Sequence, residues 1–137
     1  MSGKIFYATA GMGRRVQAPA LVASDGFSAR YDLDRIRGIF SRPEHKLAGA
    51  SYLGRVLVLD AAKGGVATAW MLHEMKARGV MPAALVLNRV NPIMVQGVAL
   101  ADFTMISGFD LDITQAIPAD AEVEVDPTAE RPFIRVL

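Results

Sequence analysis

Short apolar runs alternate with helical patterns through the middle of the chain. The run RVLVLD at 55–60 has apolar residues on both of its alternating faces, which is typical of a strand buried on both sides. Similar runs at 81–88 and 103–107 predict two more strands. Apolar residues near helical spacing predict one helix over 66–80 and another over 93–102. This order predicts a parallel βαβαβ core.

Capping residues mark the ends of both predicted helices. Lys76 and Arg78 fall in the last turn of the first helix, and Gly79 stands at its C-cap. Asn91 supplies the N-cap of the second helix, and Pro92 follows at its first position. These residues support the helix boundaries independently of the apolar pattern.

Shorter strands flank the predicted core. Residues 18–24 read as a strand that ends at a turn formed by Asp25 and Gly26. Later in the chain, 122–126 and 132–137 alternate polar and apolar residues, as half-buried or edge strands do. We therefore predict a mixed α/β fold, in which two helices cover a sheet or barrel with a parallel core and antiparallel flanking strands.

Length and composition favour one ordered domain. We treat residues 1–137, 52% of which are hydrophobic, as a single domain with 1–15 as an N-terminal extension or edge segment. A net charge of +1 gives no support to nucleic acid as a partner. The apolar runs fall short of the roughly 20 residues that span a membrane, and the N-terminal segment lacks the apolar core of a signal peptide. We expect a cytoplasmic protein that binds neither nucleic acid nor a membrane.

Few side chains are available for metal binding or nucleophilic catalysis. The chain has no cysteine, which excludes disulfides and metal centres held by its own thiolates. Its two histidines, His45 and His73, do not stand at metal-ligand spacing, and there is no G-x-S-x-G motif. We expect His73 to be a satisfied or exposed histidine of the first helix. The sequence thus predicts no metal ligand and no catalytic residue in this chain.

A long mixed segment follows the first flanking strand. It carries a dense cluster of charged residues, which are Arg30, Asp32, Asp34, Arg35 and Arg37. Such a cluster is commonly a solvated surface loop. A loop of this length inside a compact domain is also often functional, so both interpretations stand.

A glycine-rich connection joins the first core strand to the first helix. Lys63, Gly64 and Gly65 precede the helix, whose first N–H groups lack partners within the helix and favour an anion. Glycines allow a ligand to approach the backbone, and Lys63 adds a positive charge. The motif is neither a phosphate-binding P-loop nor G-x-G-x-x-G, so a tight turn that binds nothing remains the alternative.

The next connection of the core adds a second candidate. Because ligands gather at the carboxyl ends of parallel strands, Asn88, Arg89 and Asn91 should lie near Lys63. Asn91 is fully explained as an N-cap. Arg89 is either a ligand for the same anion or an ordinary surface charge.

Several segments, in order and spacing, resemble the swivel domain of the aconitase X family. HKLAGAS at 45–51 looks like that family's HPLxGxS, and LGRVLVL at 53–59 is similar to its first core strand. The stretch 81–102 resembles a strand–helix unit of the family, and 121–137 resembles its closing hairpin. The resemblance covers residues 16–137.

The resemblance implies a swivelling β/β/α domain that covers the active site of a larger subunit. Members of the family dehydrate hydroxy acids such as phosphomevalonate or cis-3-hydroxyproline. A base removes a proton alpha to a carboxylate, and a metal centre helps the hydroxyl to leave. The implied partners are a large catalytic subunit and a small anionic substrate. An iron or iron–sulfur centre is expected on that subunit, with no cofactor on this chain.

Two segments depart from the family pattern. Where the family usually reads GRGSSxGS, this chain reads AKGGVATA, so that Gly65 and Val66 replace serines associated with proton transfer. An upstream difference places Arg30 where a small residue is usual. The anion-binding residues implied here are Lys63, Gly64 and Gly65, with Arg30 as an addition. The chain is then either a dehydratase subunit or a non-catalytic binding or regulatory module that retains the fold.

Overall fold

The computed structural model describes residues 3–28, 32–62 and 66–137. Its elements follow the chain as strands and helices in this order: β1 (Ile5–Tyr7), β2 (Ala10–Met12), β3 (Val16–Val22), β4 (Leu33–Asp34), β5 (Ile39–Phe40), β6 (Val56–Ala61), α1 (Val66–Arg78), β7 (Ala84–Arg89), α2 (Pro92–Leu100), β8 (Met105–Ser107), α3 (Ile113–Ala116), β9 (Glu122–Asp126) and β10 (Phe133–Val136).

A single eight-stranded sheet contains the predicted core. Its strand order is β1-β10-β9-β3-β6-β7-β8-β2. Strands β6, β7 and β8 are parallel neighbours connected by α1 and α2, which confirms the predicted βαβαβ unit. Strands β9 and β10 are antiparallel, as predicted for the flanks. Strand β3 joins the two regions, because it is parallel to β6 and antiparallel to β9.

The two edges of the sheet meet at the start of the chain. Strand β1 pairs with β10 at one edge and β2 pairs with β8 at the other, although only two residues separate β1 from β2. The amide of Ala8 donates to the Pro132 carbonyl at 2.8 Å, and that of Thr9 donates to the Ser107 carbonyl at 3.1 Å. Residues 5–12 therefore close the sheet into a barrel.

Alternating residues of the core strands serve two separate hydrophobic clusters. Leu57 and Leu59 of β6 pack in one cluster with Leu72 of α1 and Met94 of α2, whereas Val58 belongs to the cluster on the opposite face. All five are buried. The continuous apolar run of β6 thus fills both faces of the sheet, as its sequence predicted.

The described part of the long segment after β3 contains regular structure that the sequence did not indicate. It contains the short hairpin of β4 and β5, whose turn is held by Ile36 and Arg37 N–H groups donating to the Asp34 carboxylate. Within the charged cluster, Asp32 is buried, so a wholly solvated loop is a wrong interpretation of that cluster. Two-residue strands are too short to produce a detectable apolar period, and the same holds for the four residues of α3.

Among the described residues, no helix has the length and apolar character needed to cross a bilayer.

Candidate functional site

Polar side chains gather where the parallel strands end. We call this group the carboxyl-end rim, since its members follow or end the strands β3, β6, β7 and β8. The members are Ser24, Asp60, Asn88, Arg89, Asp112 and Thr114.

The ends of β6 and β7 lie side by side. Ala61 pairs with Arg89 in the parallel register, and the Ala62 amide donates to the Arg89 carbonyl at 3.2 Å. Four residues predicted to bind an anion, which are Lys63, Gly64, Gly65 and Arg30, lie outside the described residues. Arg89 is thus the one predicted anion ligand that the structure describes.

Arg89 extends into solvent from the end of β7. Its guanidinium donates to Asp60 Oδ2 at 3.1 Å, and 74% of its side chain is exposed. Asp60 is the second-last residue of the adjacent strand β6, and 42% of its side chain is exposed. The arginine is therefore reachable by a ligand, while its orientation is set by a carboxylate on the neighbouring strand.

Asn88 ties three segments of the rim together. Its Nδ2 donates to Asp60 Oδ1 at 3.0 Å and to Asp112 Oδ1 at 2.9 Å. Its Oδ1 accepts from the Ile113 amide at 2.9 Å. Because both ends of its amide are engaged, Asn88 links β6, β7 and the start of α3 through hydrogen bonds.

Asn91 has the capping role that the sequence predicted. Its side chain accepts from the Met94 amide at 2.8 Å, at the start of α2, and its backbone is extended. The N-cap prediction is confirmed. The geometry of Asn91 is explained by this role.

A chain of hydrogen bonds continues from Asn88 to β3. The Thr114 hydroxyl donates to Asp112 Oδ1 at 2.7 Å, because a carboxylate only accepts. The Ser24 hydroxyl, 2.9 Å from Thr114 Oγ1, must then be the donor in that contact. Gln115 donates to Ser24 at 2.6 Å. Hydrogen bonds among side chains that end or follow four strands therefore hold the rim in place.

Asp112 is held as a carboxylate by its neighbours. Hydrogen bonds from Thr114, and next from Asn88, lower the pKa of Asp112 below its usual 3.8 despite an opposing effect of burial. A lowered folded-state pKa means that this carboxylate stabilises the fold above its unfolded pKa. That contribution is lost as the pH falls through the folded-state value.

Replacing the hydroxyl of Thr114 should move this titration. We expect Thr114→Val to raise the pKa of Asp112 toward its usual value, measured by NMR titration of the side-chain carboxyl carbon. Thr128→Val is the matched control, because Thr128 makes the same contact with Asp126 at 2.7 Å. It should raise the pKa of Asp126 and leave Asp112 unchanged. An Asp112 titration unaffected by Thr114→Val would contradict this assignment.

His45 anchors the segment that follows β3. Its ring stacks on Phe40 with centroids 4.6 Å apart. Its Nδ1 accepts from the Leu47 amide at 3.0 Å, so Nε2 carries the proton that is donated to the Gly26 carbonyl at 2.8 Å. Both ring nitrogens of this buried histidine are engaged in hydrogen bonds, so its role is structural rather than that of a metal ligand.

The carboxylates of Asp25 and Asp32 lie close to the His45 ring. Burial acts to raise the pKa of Asp25, but hydrogen bonds from the Lys46 and Gly26 amides, together with nearby positive charge, outweigh it and lower that pKa. Asp32 accepts from Arg42 Nε at 2.6 Å and from the Ser28 amide at 3.0 Å. These contacts join residues 25–28, which follow β3, to residues 32–46.

The sequence reasoning missed most members of the rim. In the sequence, Asp60 only ends the run 55–60, although a polar residue near the end of a predicted parallel strand is a usable signal. Asp112 and Thr114 form an Asp-x-Thr cap, which is a local signature of a helix start. Ser24 had no sequence signal, because its partner lies 90 residues away.

Within the described part of the chain, no group of three or more histidine or carboxylate residues has an arrangement that could hold a metal ion. The exposed guanidinium of Arg89 gives the rim a positively charged group that solvent reaches.

Comparisons with known proteins identify relatives across nearly the whole chain. The family model for the aconitase X swivel domain matches residues 5–135. The phosphomevalonate dehydratase small subunit of Methanopyrus kandleri is 32% identical over 112 residues, 82% of this chain and 83% of that protein. The corresponding subunit of Methanocella arvoryzae is 28% identical over 117 residues, 85% of this chain and 89% of that protein.

A solved structure shows the same fold. The crystal structure of Thermococcus kodakaraensis aconitase X in its holo-form matches with a TM-score of 0.88 at 21% sequence identity. The match covers 98% of this chain and 99% of that chain. The barrel with its two covering helices is therefore an arrangement already seen in a solved protein.

Proposed function

This chain belongs to the aconitase X swivel domain family, and we propose that it is the small subunit of a dehydratase acting on a hydroxy acid. The observation that carries the proposal is the family match over residues 5–135 together with relatives named as small subunits along most of their length. A protein of this kind requires a large catalytic subunit. We place the pair in the cytoplasm.

The substrate in this proposal is a small anion that binds at the carboxyl-end rim. Lys63, with the amides of Gly64 and Gly65, would bind its carboxylate or phosphate, and Arg30 and Arg89 would add positive charge. The exposure of the Arg89 guanidinium supports this assignment for one of the five. Phosphomevalonate is the first substrate to test, because the relatives are named for it.

The metal centre of the proposed reaction lies on the large subunit. This chain has no cysteine to bind an iron–sulfur cluster, and its described residues do not fit a metal site. We therefore assign the iron or iron–sulfur centre to the partner and derive no step through it. The contribution of this chain is to bind the anionic group and to cover the substrate.

A second candidate function is a non-catalytic binding or regulatory module. It is favoured by the loop sequence, in which Gly65 and Val66 stand where the family has serines. Neither side chain can transfer a proton. In a dehydratase, the large subunit would have to supply the base.

Purification of the complex separates the two functions. We expect the tagged chain to co-purify with a larger subunit from its native cells, and the complex to dehydrate phosphomevalonate or another hydroxy acid such as cis-3-hydroxyproline. This chain alone should show no such activity. Recovery of the chain without a larger partner would refute the dehydratase subunit, and an inactive but stable metal-containing complex would favour the module.

Lys63→Ala tests the anion site within the complex. We expect it to weaken binding of the anionic substrate by about 1–3 kcal/mol if the charge pair is desolvated, measured as an increase in Kd or KM. Lys46→Ala is a suitable control, because Lys46 is an exposed lysine outside the rim. Equal affinities for the wild type and Lys63→Ala would remove Lys63 from the site.

A further inference from the structure

The carboxylate of Asp60 accepts hydrogen bonds from two other members of the carboxyl-end rim. One oxygen, Oδ1, accepts from Asn88, and the other, Oδ2, accepts from Arg89. Asn88 is in turn fixed by Asp112 and by the Ile113 amide. The carboxylate of Asp60 is therefore oriented on one side by the scaffold and holds the guanidinium on its other side.

A second pair on the opposite side of the barrel lacks this support. Arg14 and Asp102 are 3.2 Å apart, with side chains 74% and 72% exposed. Both precede strands of the parallel region, and the Asp102 carboxylate has no other hydrogen-bond partner among the contacts of the described chain. The two arginines are equally exposed, but only Arg89 is held by a carboxylate that the scaffold itself orients.

We propose that Asp60 is a positioning residue, which holds the Arg89 guanidinium toward the anionic group of the substrate without contacting that group itself. This inference rests on the proposed function, because it assigns Arg89 to the anion site. The physical reason is that a long, flexible arginine side chain loses conformational freedom when it binds. A neighbouring carboxylate that has already restricted it reduces that loss.

The opposite role for Asp60 would be to neutralise Arg89 and weaken its attraction for anions. The two roles predict effects of opposite sign when the charge of Asp60 is removed. If Asp60 only neutralises, Asp60→Asn tightens anion binding. If Asp60 positions Arg89, Asp60→Asn weakens it, because water around these exposed groups already reduces the repulsion between the Asp60 charge and an anion, while the loss of orientation remains.

The test uses the full chain and inorganic phosphate as the probe. Phosphate is titrated into the isotopically labelled protein, and NMR follows the Arg89 Nε–H signal and nearby amides. We expect a saturable shift at Arg89, a Kd raised about threefold or more by Asp60→Asn, and a Kd raised about tenfold or more by Arg89→Ala. The double variant should match Arg89→Ala alone, because Asp60 acts through Arg89.

Two further variants secure the interpretation. Asp102→Asn removes the matched exposed carboxylate and should leave the phosphate Kd unchanged. Asp60→Glu retains the charge but changes the reach, so a pure countercharge predicts no effect and a positioning residue predicts weaker binding. This variant also replaces Asp60→Asn if the latter lowers the folded fraction.

The outcomes separate this inference from the proposed function. An unchanged or tightened phosphate Kd in Asp60→Asn, or no phosphate response at Arg89 in the wild type, overturns the inference whether or not the complex is active. A weakened Kd supports it even if the complex with the large subunit shows no dehydratase activity. In an active complex, Asp60→Asn should raise KM about threefold or more and leave kcat within about twofold, a split that general destabilisation does not produce.

Discussion

Asp32→Ala is expected to lower the free energy of unfolding by about 1–3 kcal/mol. The Asp32 side chain is buried and accepts from Arg42 Nε at 2.6 Å and from the Ser28 amide at 3.0 Å. Its loss leaves the Arg42 guanidinium, about one third exposed, without its principal carboxylate, and leaves the buried amide without its acceptor. Denaturant unfolding followed by circular dichroism measures the change.

Glu44→Ala provides the control for this result. Glu44 is an exposed carboxylate of the same segment, and its removal should change the free energy of unfolding by no more than about 0.5 kcal/mol. Equal losses in the two variants would show that the buried contacts of Asp32 do not stabilise the fold.

Gly13→Ala is expected to be the second strongly destabilising change, by about 2–5 kcal/mol. Gly13 has a φ of +96°, and a Cβ there would lie 2.5 Å from the Thr104 Cα atom. The neighbouring residue explains the close approach, since the Arg14 amide donates to Thr104 Oγ1, which itself donates to the Arg14 carbonyl. The backbone at this crossing cannot move without breaking both contacts.

Gly49→Ala separates the two causes of this loss. Gly49 has a similar φ of +87°, but nothing lies within 4 Å of a Cβ added there. Its substitution should cost about 1–2 kcal/mol from backbone conformation alone. The extra loss in Gly13→Ala then reports the close packing of the chain against residue 104. Equal losses in thermal or denaturant unfolding would show that packing at Gly13 contributes nothing.

The regular middle of the chain could be predicted because its signals are local. Buried strands such as β6 appear as continuous apolar runs, and the polar cap Asn91 forms its hydrogen bond only three residues away, with the Met94 amide. Gly79 likewise ends α1 with a φ of +73°, and the Val80 amide donates to the Met75 carbonyl at 3.0 Å. A residue and its closest neighbours determine such features, so a single sequence reveals them.

The adjacency of the ends of β6 and β7 was predictable, but the contacts among the polar side chains there were not. Parallel register brings Ala61 beside Arg89, and this follows from two adjacent βα connections. The role of Arg89 as an anion ligand stays a prediction, as do those of Lys63, Gly64, Gly65 and Arg30. The sequence contained no indication that Asp60 and Asn88 hold Arg89 and Asp112 in one network, since those contacts join different connections of the fold.

The sequence by itself determined the parallel core, its two helices and their caps, because apolar periodicity and backbone capping act over a few residues. Only the tertiary structure decided how the barrel closes, which charged residues are buried and how the rim is assembled. Closure depends on Ala8 and Thr9 bonding to residues 132 and 107, and the rim depends on pairs such as Ser24 and Thr114, 90 residues apart. Contacts at such separations leave no period in the sequence. These contacts form because folding removes their polar groups from water, and each buried polar group then needs a hydrogen-bond partner.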